Sequence, residues 1–562
     1  MSETLEDAPR ASSIRFVTEA PPAEEGARVS RQRRLVLLVV GVLVAFVALS
    51  AFLYLLSAHS YLPDSDGATV VLEGNSIVHG DTALHGWALS YDSFWLLDAL
   101  YYAVAVGLVG IHGYLLHLVP AVIAALVVVS GALFARDGQR GLIGLVGAGV
   151  VVAFLAFPTR LLAYFFLRGP LHIDTVLCCL IAFAAMQYHR FDWRWAVAVI
   201  FLAAGALGDL QVVALGTIPL FLAGIVAALR SRRATVALPS TSAAAVSVAL
   251  ALVVREVAKA IGTFTLIKAN PRAPYSMMFG SNLTLAGHYF ADLVGVGNTA
   301  YGTGGAPVSF KYGHAVVLVV IVASALVALG ALVKGAAIGD RREPSSLRRS
   351  TIDDMLVLAA IGGVIVFLAL TTAPLIAYAR YLVPSLIFGT ILAARFATRL
   401  AAHFAKSREV MPRSIPAATA VVAFCVVAVL ASGAGYQLAQ TRPFDPYAKI
   451  ATFLVRHHLH EGLGDYWTSS IVTVDSSNAV VVRAVTATPE GTLVRYDRES
   501  DSSWYAGHNF QFIVLNPDLN FGNVNVLSAT ATFGKPIHDW LAYGLEILVW
   551  RHPISVSSHG TT

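Results

Sequence analysis

Apolar residues run through this chain in blocks of about 20, separated by short polar segments, until the pattern changes near residue 437. A block of that length crosses the hydrocarbon core of a bilayer as an α-helix. About eleven spans are expected, with cores near 35–57, 113–135, 141–162, 171–188, 195–209, 211–229, 238–257, 314–335, 353–373, 382–400 and 415–436. The stretch FWLLDALYYAVAVGLVG (94–110) is apolar but short and interrupted by Asp98, so it reads as a helix lying along the interface. After residue 437 alternation replaces the blocks. IVTVDS, AVVVRAVTAT, TLVRYD, FQFIVLN and EILVW read as strands, and DPYAKIATFLVRHHLHEG (445–462) reads as an amphipathic helix with Pro446 near its start.

The expected fold class is therefore mainly α: a polytopic membrane protein with about 11 transmembrane helices and a small C-terminal α/β domain. The expected organisation is a disordered tail (1–34), a multi-span region (35–436) with outer loops at 58–112 and 258–313, and the α/β domain (437–562). Composition agrees, with 57% hydrophobic and only 13% charged residues. The net charge of +5 does not point to nucleic acid, because the basic residues cluster between apolar blocks. With the N-terminus inside and 94–110 not spanning, inside segments hold 23 of the 39 Lys and Arg, and outer loops before residue 437 hold 8. Making 94–110 a span would invert most of that bias, against the positive-inside rule. The expected location is the plasma (inner) membrane, with a cytoplasmic N-terminus and the C-terminal domain extracytoplasmic. The three cysteines all lie in apolar blocks and imply no disulfide framework.

The first outer loop carries the sharpest chemical signal. From Leu35 to Ala135 there is no Lys or Arg, yet Asp64, Asp66, Glu73, Asp81, Asp92 and Asp98 lie there. DSDGATVVLEGNSIVHGD has an amphipathic helical pattern directly after the aspartates. A carboxylate held at a membrane edge is partly desolvated, which raises its basicity and suits a general base. Cations on the outer side are scarce, so those present become candidates for a phosphate. Arg380 and Tyr381 in IAYARYLVPSLIFG stand at the outer mouth of a span, and Lys268 and Arg272 lie in the loop 258–313. Arg160 and Arg168, flanking LLAYFFL, are lesser candidates for the same role. His172 and Asp174 sit near the outer end of a span, and Asp209 reads as a turn residue. His457, His458 and His460 read as surface histidines.

PDSDGATVVLEGNSIVHGD…LHGW resembles the first outer loop of the GT-C membrane glycosyltransferases, the protein O-mannosyltransferase-like and aminoarabinose-transferase-like enzymes. In that family an aspartate just after the first span is followed by a helix and a Gly-containing turn. Asp66 to Gly80 fits, and Asp64 fits nearly as well. RY-x-x-P at 380–384 resembles a late helix of the same family, and the stretch around Tyr466 and Trp467 resembles the start of its extracytoplasmic domain. The resemblance implies transfer of a sugar from a polyprenyl-phosphate donor to an envelope acceptor on the outer face. Asp66 or Asp64 would be the catalytic base, and Arg380, Tyr381, Lys268 and Arg272 would bind the donor phosphate. His79, Asp92, Asp98 and Trp467 would support the acceptor. A divalent cation at the acidic groups is a further expectation; the metal is unknown. Membrane lipids and the lipid-linked donor are the expected partners, and nucleic acid is not. A secondary transporter or lipid flippase, or a membrane-anchored assembly protein, stays open as an alternative.

Overall fold

The protein is described by a computed structural model over residues 22–267, 275–297, 307–338, 344–370, 375–406 and 414–556. It divides into two units, Met1–Ala48 and Leu49–Thr562. In its described part the first unit is purely helical. All of the packing that follows lies in the second.

Among the described residues, seven helices are long and apolar enough to cross a membrane: Val39–Ser60, Leu115–Ala135, Val213–Ser231, Leu238–Ala260, Val308–Ala337, Leu347–Leu368 and Ile376–Ala405. Each satisfies its backbone internally, as a lipid-embedded segment must. The chain is thus a multi-pass membrane protein. Three of the expected spans take a different form. The block 141–162 breaks into Gly141–Leu155 and Arg160–Phe166, bent by 95°. Pro158 ends the first piece, and the Thr159 hydroxyl caps the second by accepting from Leu162 N at 3.2 Å. The blocks 171–188 and 195–209 form the shorter helices Ile173–Met186 and Trp193–Gly208. Asp192 caps the latter by accepting from Arg194 N at 2.9 Å.

The stretch 94–110 forms the helix Asp98–Val109 of 12 residues. At 1.5 Å per residue it is about 18 Å long, too short for a span. It packs against the first-loop helix Ser65–Val78. Gly74 permits the approach, because a Cβ there would stand 2.7 Å from Ala103 N. The first-loop helix is packed inside the protein. Ser65 and the residues from Gly67 to Gly74 are buried, wedged between Asp98–Val109 and a C-terminal helix, Tyr466–Asp475. The Thr69 hydroxyl donates to Ser470 Oγ at 3.0 Å across that interface.

The C-terminal region is built on a six-stranded sheet. Its order is Leu493–Arg495, Val481–Ala487, Glu461–Gly464, Phe510–Leu515, Leu545–Ile554, His538–Ala542. The central three strands are parallel and the outer pairings antiparallel. IVTVDS is not a strand as its alternation suggested. It ends the helix Tyr466–Asp475, which Asp465 caps by accepting from Trp467 N at 2.9 Å. That cap and the helix crossover that parallel strands demand outweigh β-branched propensity. The amphipathic helix is also shorter than expected, Pro446–Arg456, and Glu461–Gly464 becomes the central strand. The outer loop 258–313 contains a 19-residue helix, Tyr275–Leu293, that its Gly and Pro content had hidden.

A three-stranded ribbon ties three distant segments together. Trp87–Leu89 pairs in parallel with Thr265–Leu266 and antiparallel with Ser500–Asp501. The first loop, the long loop and the C-terminal region therefore share one backbone hydrogen-bond network.

Candidate functional site

Pro63 and Asp64 start the first-loop helix. Asp64 is extended (φ −140°, ψ 179°), and its carboxylate accepts from Gly67 N at 3.3 Å. Its other oxygen is clamped by Arg168 Nη2. Arg168 follows the short helix Arg160–Phe166 and stacks on Tyr164, with its guanidinium carbon 5.0 Å from the ring centre. The same guanidinium lies 3.6 Å from Asp66 Oδ2. The aspartate pair thus has its cation, one hundred residues away in sequence.

Asp66 sits two residues further on, inside the helix, and faces a different partner. The Tyr466 hydroxyl donates to its Oδ1 at 2.6 Å. Tyr466 is the first residue of its helix, next to the Asp465 cap, so the fold of the C-terminal region aims it at the first loop. Burial pushes the Asp66 carboxyl above the usual carboxylate range, while the Tyr466 hydrogen bond and the charges of Arg380 and Arg498 pull the other way. Its side chain is still 38% exposed, against 21% for Asp64, so it lines an open cleft. Around Tyr466 gather Trp467, Tyr496 and Phe521, with ring centres 5.0, 5.2 and 6.1 Å from it. Glu499 closes the neighbourhood, accepting from Ser90 N at 2.7 Å; burial pushes its carboxyl up to about 7.

Arg380 and Tyr381 connect this cleft to a second cluster. The Arg380 charge acts on both Asp66 and Asp92. Its guanidinium packs on the Tyr381 ring at 5.1 Å and reaches the Tyr381 hydroxyl at 3.4 Å. Its Nε is buried with no hydrogen-bond partner among the described residues. Tyr381 in turn lies 5.2 Å from the His172 ring. His172 adopts a left-handed backbone (φ 67°) at the start of Ile173–Met186 and shares a 2.8 Å hydrogen bond, through Nδ1, with Asp209 Oδ2. Asp209 also accepts from Thr175 Oγ1 at 2.5 Å and Gln211 N at 2.9 Å. Asp209 is therefore more than a turn residue: it orients an imidazole.

Asp92, His172 and Asp209 offer ligand atoms within 4.8 Å of one another. One imidazole and two carboxylates suit a borderline or hard divalent cation. The donor set thus fits the expected cation.

Asp209 also lines a cavity of about 590 Å³. Tyr91, Trp95, Val213, Leu252 and Arg255 line it too, so its wall is mostly apolar with a cation on it. Arg255 Nε is buried with no hydrogen-bond partner among the described residues.

No protein-family model matches the chain, and no curated protein matches it. Solved structures do. ArnT from Cupriavidus metallidurans in the apo state superposes with a TM-score of 0.50 at 14% identity, over 91% of this chain and 98% of that one. The chain has the GT-C fold. An Archaeoglobus fulgidus oligosaccharyltransferase in complex with zinc and sulfate gives a TM-score of 0.44 at 12% identity, over 87% of this chain and 70% of that one. The oligosaccharyltransferase AglB of the same organism, with an inhibitory peptide and a dolichol-phosphate, gives 0.43 at 10% identity, over 87% and 71%.

On the GT-C fold the expected residues divide into groups. Asp64, Asp66, Arg380, Tyr381, Asp92 and Trp467 come together around the cleft and the His172 cluster. Asp98 stands just behind, buried beside Asp174 at the start of its helix; burial pushes its carboxyl up to about 7. His79 is not at the site. It is the exposed C-cap of the first-loop helix, bonded to Asn75 O at 2.8 Å, and that 14-residue helix puts it about 20 Å from Asp66. Lys268 and Arg272 lie outside the described residues. Three contributors were under-read in the sequence. Arg168 had one usable signal, its isolation in a cation-poor outer segment. Tyr466 entered only as part of a stretch resembling the start of an extracytoplasmic domain, and nothing linked Asp209 to His172.

Proposed function

We propose that this protein is a membrane glycosyltransferase. It moves a sugar from a polyprenyl-phosphate donor to an acceptor hydroxyl on the outer face of the plasma membrane. The observation that carries this reading is Asp66: a carboxylate of raised basicity, held by Tyr466, open to a cleft and within the field of Arg380.

In the proposed reaction the acceptor hydroxyl gives its proton to Asp66 as its oxygen attacks the sugar's anomeric carbon. The bond from that carbon to the phosphate oxygen breaks, and the lipid phosphate departs as an anion. Inversion follows from attack opposite the leaving group. Asp66 serves better than Asp64, whose oxygens are taken by its helix cap and by Arg168. Arg380 Nε, without a hydrogen-bond partner among the described residues, is a donor for the phosphate, and the Arg380 charge resists protonation of Asp66 at rest. The apolar cavity beside Asp209 suits the first prenyl units, with Arg255 at its wall. Trp467, Tyr496 and Phe521 are half-buried and offer ring faces to an acceptor on the C-terminal side. A divalent cation held by Asp92, His172 and Asp209 would offset the charge of the departing phosphate. Asp209 sets the orientation of the His172 imidazole.

The test is product chemistry. Purified protein in lipid is given radiolabelled polyprenyl-phosphate sugars and an envelope extract, and mass spectrometry compares envelope glycans of cells with and without the gene. A covalent glycan product with release of lipid phosphate supports the reading. Movement of labelled lipid or solute across vesicles with no covalent product makes the protein a transporter or flippase and ends it.

A further inference from the structure

The opposite end of the helical bundle holds a second built site. The helix Leu115–Ala135 starts beside the first-loop helix, where Leu116 touches Gly67, and runs 21 residues, about 31 Å, to Asp137 just past its other end. There a cavity of about 330 Å³ is lined by Leu133, Asp137, Gln187, Arg348, Arg349 and Arg395, among others.

The charges around it separate into a neutral frame and a cationic remainder. Arg395, 1% exposed, donates from Nε to Asp353 Oδ1, from Nη1 to Phe134 O and from Nη2 to Asp137 Oδ1, each at 2.7 Å. Arg399 reaches the remaining oxygens of the same two aspartates, at 2.8 Å to Asp137 and 2.6 Å to Asp353. Two arginines and two aspartates thus offset one another and fix the cavity wall. Arg348 and Arg349 are left without a carboxylate partner among the described residues. Arg348 is also pre-positioned. Its Nε donates to Gln187 Oε1 at 2.8 Å, and its guanidinium lies 4.4 Å over the Tyr188 ring. Its two Nη groups have no partner among the described residues, so the fork that matches a phosphate is presented ready-made.

The rim identifies the kind of phosphate. Leu133 lines the cavity, belongs to a membrane-spanning helix and is 62% exposed, so it meets acyl chains. A free polar metabolite gains nothing from that neighbour, whereas a lipid places its chains there and its headgroup inside. We propose that this cavity holds the headgroup phosphate of an anionic phospholipid, in the leaflet opposite the Asp66 cleft. Basic pockets between spans are suited to such headgroups.

The experiment uses the full chain in detergent. Phosphatidylglycerol, phosphatidylcholine or inorganic phosphate is added, retained lipid is counted by native mass spectrometry, and thermal unfolding is followed. Phosphatidylglycerol is expected to be retained and to stabilise, and to bind about tenfold more weakly in Arg348→Gln and in Arg349→Gln. Arg349 is exposed, so its variant reads out the site even if Arg348→Gln does not fold. Arg233→Gln is the control: it lies at the same end, exposed in the turn beside Arg230, which pairs with Asp354. It is expected to bind as the parent does. Equal retention by parent and both cavity variants, or an equal loss in Arg233→Gln, overturns the site. Phosphatidylcholine binding as well as phosphatidylglycerol overturns the charge recognition. Stabilisation by inorganic phosphate equal to that by phosphatidylglycerol assigns the cavity to a free anion and overturns the lipid.

Discussion

Replacing Tyr466 with phenylalanine removes the hydroxyl that donates to Asp66 Oδ1 at 2.6 Å and leaves the ring packed on Trp467 and Tyr496. A hydrogen bond to a charged group contributes about 1.5–3 kcal/mol, and one pKa unit corresponds to about 1.4 kcal/mol. The bare expectation is a rise of about 1–2 units in the Asp66 pKa. Asp66 is 38% exposed, so water replaces part of the lost bond, and about one unit is the better figure. The sign is fixed by the role. A base works ionised, Tyr466 stabilises the ionised form, and its loss makes protonation easier. The acid limb of kcat/KM for sugar transfer therefore moves to higher pH by about one unit, while the rate well above the limb changes little. The assay is a pH profile of transfer from a lipid-linked donor, with thermal unfolding as a check on folding. A profile that stays put or moves to lower pH, in a variant that unfolds like the parent, refutes the assignment of Asp66 as a base tuned by Tyr466.

Arg168→Gln strands Asp64 and takes one of several neighbouring cations from Asp66. Arg168 and Asp64 are 12% and 21% exposed, so the cost falls below that of a fully buried pair, at about 2–3 kcal/mol of stability, read by denaturant or thermal unfolding. Arg380→Lys keeps the charge but loses the fork and the packing on Tyr381. The KM for the lipid donor is expected to rise about tenfold with little change in the Asp66 pH limb, measured by donor titration. Glu499→Gln tests a buried carboxyl whose pKa rises from 4.5 to about 7 on folding. The folded state binds the extra proton, so the parent loses stability as pH climbs through that window. The variant should gain on the parent between those pH values and hold the gain above them, which a pH series of melting temperatures reads directly.

Much of the membrane architecture was legible because lipid imposes a simple rule: long apolar blocks must be helices. The rule loses its grip where a block contains its own stop signals, as at Pro158–Thr159, and there the expected span broke. The first-loop helix was readable from local chemistry alone. IVTVDS was misread because alternation is shared by a strand and by a helix buried on two sides, and the parallel strands that flank it are invisible locally. The site divides along the same line. Asp66, Arg380 and Tyr381 stand out as ionisable or aromatic groups where the bilayer leaves few. Arg168, Tyr466 and the His172–Asp209 bond join segments 37 to 400 residues apart, and only the folded chain reveals them.

The most direct measurement is transfer by purified Asp66→Asn beside Asp64→Asn, each shown to unfold at the parent's temperature or close to it. The account expects Asp66→Asn to lose about a hundredfold or more in turnover, as removal of a general base does, and Asp64→Asn to retain a larger share. Parent-level turnover in the Asp66 variant would contradict it.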